Sequence, residues 1–192
     1  METRPDHLTV PRKWLRHGLL FLLGFIAIIS LAAARRPPTA PAGVSGWTVV
    51  EKSATGDDTA TIQAAIDSVA RTGGVVFFPA GIYRHTGLTG RANVHLKGVH
   101  VSSVKLDYTP RTGDGITLVP DPNNFMVSDL TLDSSGRSSG WGIRAEAGTQ
   151  RSMRIERSKI GGFENGILIT NALNVTVRQC RIGHTYPNDP RG

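Results

Sequence analysis

Phe125-Met126-Val127-Ser128-Asp129-Leu130-Thr131-Leu132 runs apolar, other, apolar, two others, apolar, polar, apolar. The same order returns at Met153-Arg154-Ile155-Glu156-Arg157-Ser158-Lys159-Ile160 and Val175-Thr176-Val177-Arg178-Gln179-Cys180-Arg181-Ile182. A looser copy stands earlier, at Asn93-Val94-His95-Leu96-Lys97-Gly98-Val99-His100-Val101. Ahead of the last three copies comes a shorter motif: Asp114-Gly115-Ile116, Trp141-Gly142-Ile143 and Asn165-Gly166-Ile167. Offsets between copies range from 22 to 31 residues. A fixed order with loose spacing describes stacked coils whose loops differ in length. Two short strands per copy and almost no helical periodicity make the coil β rather than α.

Composition fits a slender tube. The 192 residues include 22 glycines and 11 prolines, many at turns, and aromatics make up only 6%. Such a core is built from Val, Ile and Leu. Alternation along a strand sends Phe125, Val127, Met153, Ile155, Val175 and Val177 inward and Met126, Arg154 and Thr176 outward. Each coil buries its core only against the coils above and below. The single Cys180 excludes an internal disulfide framework and aligns with Leu130 and Ser158 as a small inward residue.

The first 36 residues read as a targeting segment. Arg4, Arg12, Lys13 and Arg16 precede a 17-residue uncharged run, Gly18 to Ala34. That run suits either a secretory signal with small residues at Ala32-Ala33-Ala34 or an uncleaved membrane anchor stopped by Arg35-Arg36. Either alternative places the body outside the cytoplasm, secreted or membrane-anchored. Residues 37–46 are a Pro-rich linker, and residues 47–192 form the coiled domain. Of the net charge of +7, +5 belongs to residues 35–192, with 18 basic and 13 acidic side chains. A mildly basic exported domain can meet acidic polysaccharide, cell wall or lipid head groups. Charge alone would also permit nucleic acid, but no aromatic platform or recognition motif supports that partner.

Ahead of the coils, Ile62, Ala65, Ile66 and Val69 share one helical face. Asp57 or Asp58 suits the positive end of this helix, and Thr72-Gly73-Gly74 ends it. A strand, Val75-Val76-Phe77-Phe78-Pro79, follows, then a turn at Ala80-Gly81. Together, Gly56-Asp57-Asp58-Thr59, Ile62-Gln63-Ala64-Ala65-Ile66-Asp67 and Gly73 to Tyr83 resemble the opening of the pectate-lyase-like superfamily. Asn93-Val94-His95-Leu96-Lys97-Gly98 and Asn174 to Cys180 resemble its coil motifs. The resemblance covers roughly residues 47–183 and implies an all-β, right-handed, single-stranded parallel β-helix. About four or five coils are expected, with an N-terminal capping α-helix over the bottom. It implies a polysaccharide as the partner, and a lyase or hydrolase if the chain is an enzyme.

Candidate sites come from the aligned outward columns. Ser128, Glu156 and Arg178 stack an acid beneath a base, which reads as a surface ion pair. Thr131, Lys159 and Arg181 stack two like charges, which repel unless an anion lies across them. With Arg154 and Arg144 nearby, Lys159 and Arg181 are the candidate residues for binding an acidic glycan. Asp107, Asp114, Asp129 and Asp133 are scattered, and Asp114-Gly115 and Asp133-Ser134 read as turn chemistry. The resemblance allows calcium, which needs several converging oxygens; no metal ligands are assigned. The carboxylate sets that the superfamily's hydrolases share are not found in the coils, and Gly183-His184-Thr185 lacks a second glycine. Catalytic residues are therefore not assigned. Asn174-Val175-Thr176 is a glycosylation sequon whose asparagine reads instead as an inward turn residue. The chain stops soon after the last repeat, and the coils that carry the reacting groups in related enzymes are expected to be missing. Two readings remain: a protein acting on or binding acidic polysaccharide, or a non-catalytic envelope-tethered module able to self-associate through an uncapped last coil.

Overall fold

The computed structural model describes residues 46–183. The targeting segment, almost all of the linker, and His184 with the tail lie outside the described residues. Among the described residues, no helix is long and apolar enough to cross a membrane.

The chain is a parallel β-helix of about five coils. Every strand pairing is parallel. The first sheet stacks β1 (Trp47–Val49), β2 (Gly74–Phe78), β5 (Val94–Gly98), β8 (Met126–Ser128), β11 (Arg154–Glu156) and β14 (Thr176–Arg178) in that order. The second stacks β3 (Gly81–His85), β6 (Val104–Tyr108), β9 (Thr131–Ala145), β12 (Lys159–Ile169) and β15 (Arg181–Ile182). Beside it β4 (Leu88–Gly90) pairs with β7 (Ile116–Leu118), which joins the far half of β9. A short rung joins β10 (Gln150–Arg151) to β13 (Ala172–Leu173).

Coil-to-coil register is what the repeats predict. Leu96, Val127, Ile155 and Val177 align in the first sheet, and Leu106, Leu132, Ile160 and Ile182 in the second. Ile116, Ile143 and Ile167 align in the third tract. The lower members of these columns are fully or almost fully buried, each side chain contributing about 2 kcal/mol by removal from water. Ile167 is only partly buried, and Val177 and Ile182 are 44% and 47% exposed. The expectation that Val177 fills the tube needs this correction: it belongs to the uppermost described coil, and no described coil covers it.

Each eight-residue copy holds two short strands, as its pattern implies, joined at a residue with left-handed backbone: Asp129 (φ 60°), Arg157 (φ 46°) and Gln179 (φ 53°). The two consecutive outward positions in the repeat are the corner itself. A second stack of left-handed turns comprises Asn93, Asn124, Ser152 and Asn174. Asn174 is at the predicted turn, but its side chain is exposed rather than inward.

The cap is a helix, α1 (Thr59–Ala70), burying Ile62, Ala65, Ile66 and Val69. Its surroundings satisfy the free edges of the lowest coil, which would otherwise offer unpaired backbone groups. Gln63 Oε1 accepts from Thr89 N at 2.9 Å, and Gln63 Nε2 donates to Thr89 O at 3.2 Å, closing the edge at β4. The buried Asp58 carboxylate accepts from Ser53 N at 2.6 Å and from Arg84 N at 3.0 Å, closing the edge at β3. Asp58 therefore ties strands together instead of capping α1 with its side chain. Asp57 holds the first turn, accepting from Thr59 N at 2.9 Å and Thr59 Oγ1 at 2.6 Å.

Candidate functional site

The outer face of the second sheet carries the column in which the sequence placed two like charges. Lys105, Thr131, Lys159 and Arg181 occupy successive coils in strict register. Strand spacing puts their Cα atoms about 4.8 Å apart. Lys159 and Arg181 are exposed, and among the described residues neither has an ion-pair partner. A depression of about 400 Å³ is lined by Thr131, Asp133, Lys159, Gly161, Arg181 and Gly183. Two more, of about 340 and 360 Å³, adjoin it; one reaches the corner at Asp129, Arg157 and His100, the other reaches Lys105. Lys159 borders all three, so the depressions lie side by side along this face as a groove lined in common.

The other proposed cations lie elsewhere. Arg154 is on β11 in the first sheet, in register with Met126 and Thr176, and borders none of the three depressions. Arg144 is on the far half of β9. There its Nε donates to Glu146 Oε2 at 2.8 Å and its Nη1 lies 3.4 Å from Asp114 Oδ2. Glu146 first, then Asp114, raises its pKa further. The structure thus brings Lys159 and Arg181 together and separates both from Arg144 and Arg154.

Lys105 was missed because the first repeat copy ends at Val101, before β6 begins. It is not free. Its Nζ lies 2.8 Å from Asp133 Oδ2 and 3.1 Å from Asp107 Oδ1. Burial disfavours its charge, but bonding to Asp133 and Asp107 outweighs this and raises its pKa. Two of the aspartates read as scattered in the sequence thus share one lysine, Asp107 within its own strand and Asp133 from the coil above.

A second network fills the corner beside the groove. Arg157 grips Asp129 with Nε at 2.6 Å from Oδ1 and Nη2 at 3.0 Å from Oδ2, and Lys97 Nζ adds a bond at 2.9 Å. Arg157 above all holds the Asp129 carboxyl well below the ordinary carboxylate range. Ser128 Oγ donates to Asp129 Oδ2 at 2.9 Å, so His95 Nε2, 2.8 Å from that hydroxyl, must be its donor. Burial, then Lys97, lowers the His95 pKa to about 4, keeping the ring neutral. Glu156 pairs with Arg178 (Oε1 to Nε, 3.0 Å), the ion pair expected from the repeat. These groups saturate one another, and the network locks the corner. Cys180 is partly buried, with Sγ 3.3 Å from Ile155 O, in keeping with a small inward residue. Among the described residues no cluster of His, Cys, Asp and Glu has the arrangement of a metal site.

A parallel β-helix with a helical cap over its first coil and this repeat define a member of the pectate-lyase-like superfamily. Within that class the chain is similar to mannuronan C5-epimerases of Azotobacter vinelandii. It is 36% identical to AlgE2 over 127 residues, covering 54% of this chain and 13% of that protein. With AlgE4 the identity is 32%, covering 54% and 23%. The solved A-module of AlgE4 superposes with a TM-score of 0.56 at 27% identity, over 66% of this chain and 41% of that one. The chain thus spans a quarter or less of the length of these curated relatives. No protein-family model matches it.

Proposed function

We propose that this domain binds an acidic, uronate-type polysaccharide outside the cytoplasm, along the outer face of the second sheet. Lys159 and Arg181 hold successive carboxylates of the polymer. The observation that carries this reading is the pair of cations stacked one coil apart, with no ion-pair partner among the described residues, over three adjoining depressions. Similarity to enzymes named for mannuronan, a polymer with one carboxylate per sugar, supports the ligand class. Arginine takes a carboxylate through two parallel N–H bonds, and lysine adds a compact charge.

Binding is favoured over turnover for the described part of the chain. Inverting C5 of a uronate requires one group to remove the C5 proton and another to return a proton on the opposite face. Along the groove, Asp133 is engaged by Lys105 and Asp129 by Arg157 and Lys97. His100 lies at the corner, its Nδ1 bonded to Ser102 Oγ at 2.8 Å. No opposed acid and base face one another there among the described residues.

The test is retention on immobilised mannuronan against a neutral polymer. Lys159→Ala and Arg181→Ala should each weaken retention about fivefold, one exposed charge contact being worth about 1 kcal/mol. The double variant should lose it. Unchanged retention in the double variant removes the proposal. In the same preparation, C5 configuration and release of ultraviolet-absorbing unsaturated uronides are followed with and without calcium. Either product would replace binding with catalysis.

A further inference from the structure

Two columns run side by side up the outer face of the second sheet. Beside Lys105, Thr131, Lys159 and Arg181 runs a second column: Asp107, Asp133 and Gly161 in register, with Gly183 in the corresponding place after Ile182. The carboxylates of this second column occupy the two lower coils only. There they hold Lys105, with its Nζ 2.8 Å from Asp133 Oδ2 and 3.1 Å from Asp107 Oδ1, and Arg84 stands in register beneath Asp107. In the next two coils the same column has no side chain at all, and the cations beside it have no ion-pair partner among the described residues. Charge compensation thus stops where aspartate gives way to glycine.

We infer that Asp107 and Asp133 terminate the anion track: they occupy Lys105, repel a polyanion, and confine a uronate chain to the coils of Lys159 and Arg181, where Gly161 and Gly183 leave bare backbone for a sugar ring. This rests on the acidic-polysaccharide reading above. Asp133 is the outer of the two carboxylates, with 30% of its side chain exposed against 8% for Asp107, so it is the one an approaching ligand meets. Removing its charge leaves Lys105 held by Asp107 alone and lets the track extend past Thr131 toward Lys105, two coils below Lys159. Placing a carboxylate at Gly161 sets it two residues from Lys159 on β12, as Asp107 stands to Lys105 on β6 two coils below.

The experiment measures the affinity of the purified chain for mannuronate oligomers of graded length, at two salt concentrations. Asp133→Asn should bind long oligomers about three- to tenfold more tightly, with a steeper salt dependence and no change for the shortest ones. The gain should disappear in the D133N/K105A double variant. Gly161→Asp should weaken binding about as much as K159A, whereas Gly161→Ala, which adds bulk without charge, should weaken it less. If K159A loses affinity but D133N gains none, the terminator is wrong and the groove stands. If K159A itself binds like the native chain, the groove is wrong. A gain in D133N that survives removal of Lys105 also overturns the inference.

Discussion

His85 sits inside the tube, fully buried, with neither ring nitrogen hydrogen-bonded among the described residues. Its ring packs 5.6 Å from Tyr108, which in turn stacks 5.5 Å from Phe163. Burial lowers its pKa to about 4 despite the opposing pull of Asp107, Asp57 and Asp58. The ordinary value in the unfolded chain is about 6.5. The folded pKa is the lower one, so on acidification the unfolded state takes up its proton first. Stability from this group is therefore complete above about pH 6.5 and is lost as pH falls toward 4. The full difference is about 3 kcal/mol, at roughly 1.4 kcal/mol per pKa unit. Between pH 7 and pH 5 the loss is about 2 kcal/mol. His85→Phe keeps a ring in the stack and removes both unpaired nitrogens. At pH 7 it should be neutral or stabilising, since it eliminates buried polar atoms without partners. Urea unfolding at pH 7 and pH 5 checks the size. With a slope of about 2 kcal/mol per molar, the native midpoint should fall about 1 M further than that of H85F. Equal pH dependence in the two proteins would refute the assignment of a neutral, desolvated imidazole.

Two further outcomes test the cap. Asp58→Ala strips the partners from Ser53 N and Arg84 N and should cost about 3 kcal/mol in urea unfolding, each bond to a charged acceptor being worth about 1.5–3 kcal/mol. Gln63→Ala reopens the β4 edge at Thr89 and should cost about 2 kcal/mol, with faster amide exchange at Thr89 than in the native chain.

The repeat made the fold legible because coil-to-coil register is a sequence property: aligning Val127, Ile155 and Val177 in the text aligns them in space. Outward columns follow automatically, which is why Thr131, Lys159 and Arg181 could be named before any coordinates. What a linear alignment lacks is the neighbouring column and the corner. Lys105 and Asp107 lie in a coil whose second strand matches the repeat poorly, so the ion pairs of Lys105 with Asp107 and Asp133 were invisible. Arg144 and Arg154 are near Lys159 in sequence, yet one lies past a bend in β9 and the other across a corner. His85 precedes the first recognisable copy, and its inward direction is set by register with Tyr108.

A stacked fold has a difficulty with charge that a globular one avoids. Any ionic residue kept at one repeat position is placed about 4.8 Å from its copy, where two like charges in water repel by about 0.8 kcal/mol. This chain resolves the difficulty sideways. Asp129 is shared by Lys97 and Arg157, Glu156 by Arg157 and Arg178, and Lys105 by Asp107 and Asp133. The left-handed backbone at Arg157 costs about 1 kcal/mol, and its three-bond grip on Asp129 and Glu156 offsets that strain at the corner. Lys159 over Arg181 is a stack of like charges in adjoining coils that lacks such compensation among the described residues, beside a column of glycine. Repulsion between two such charges is relieved when an anion spans both, and a polymer with a carboxylate on each sugar can do so across two coils at once.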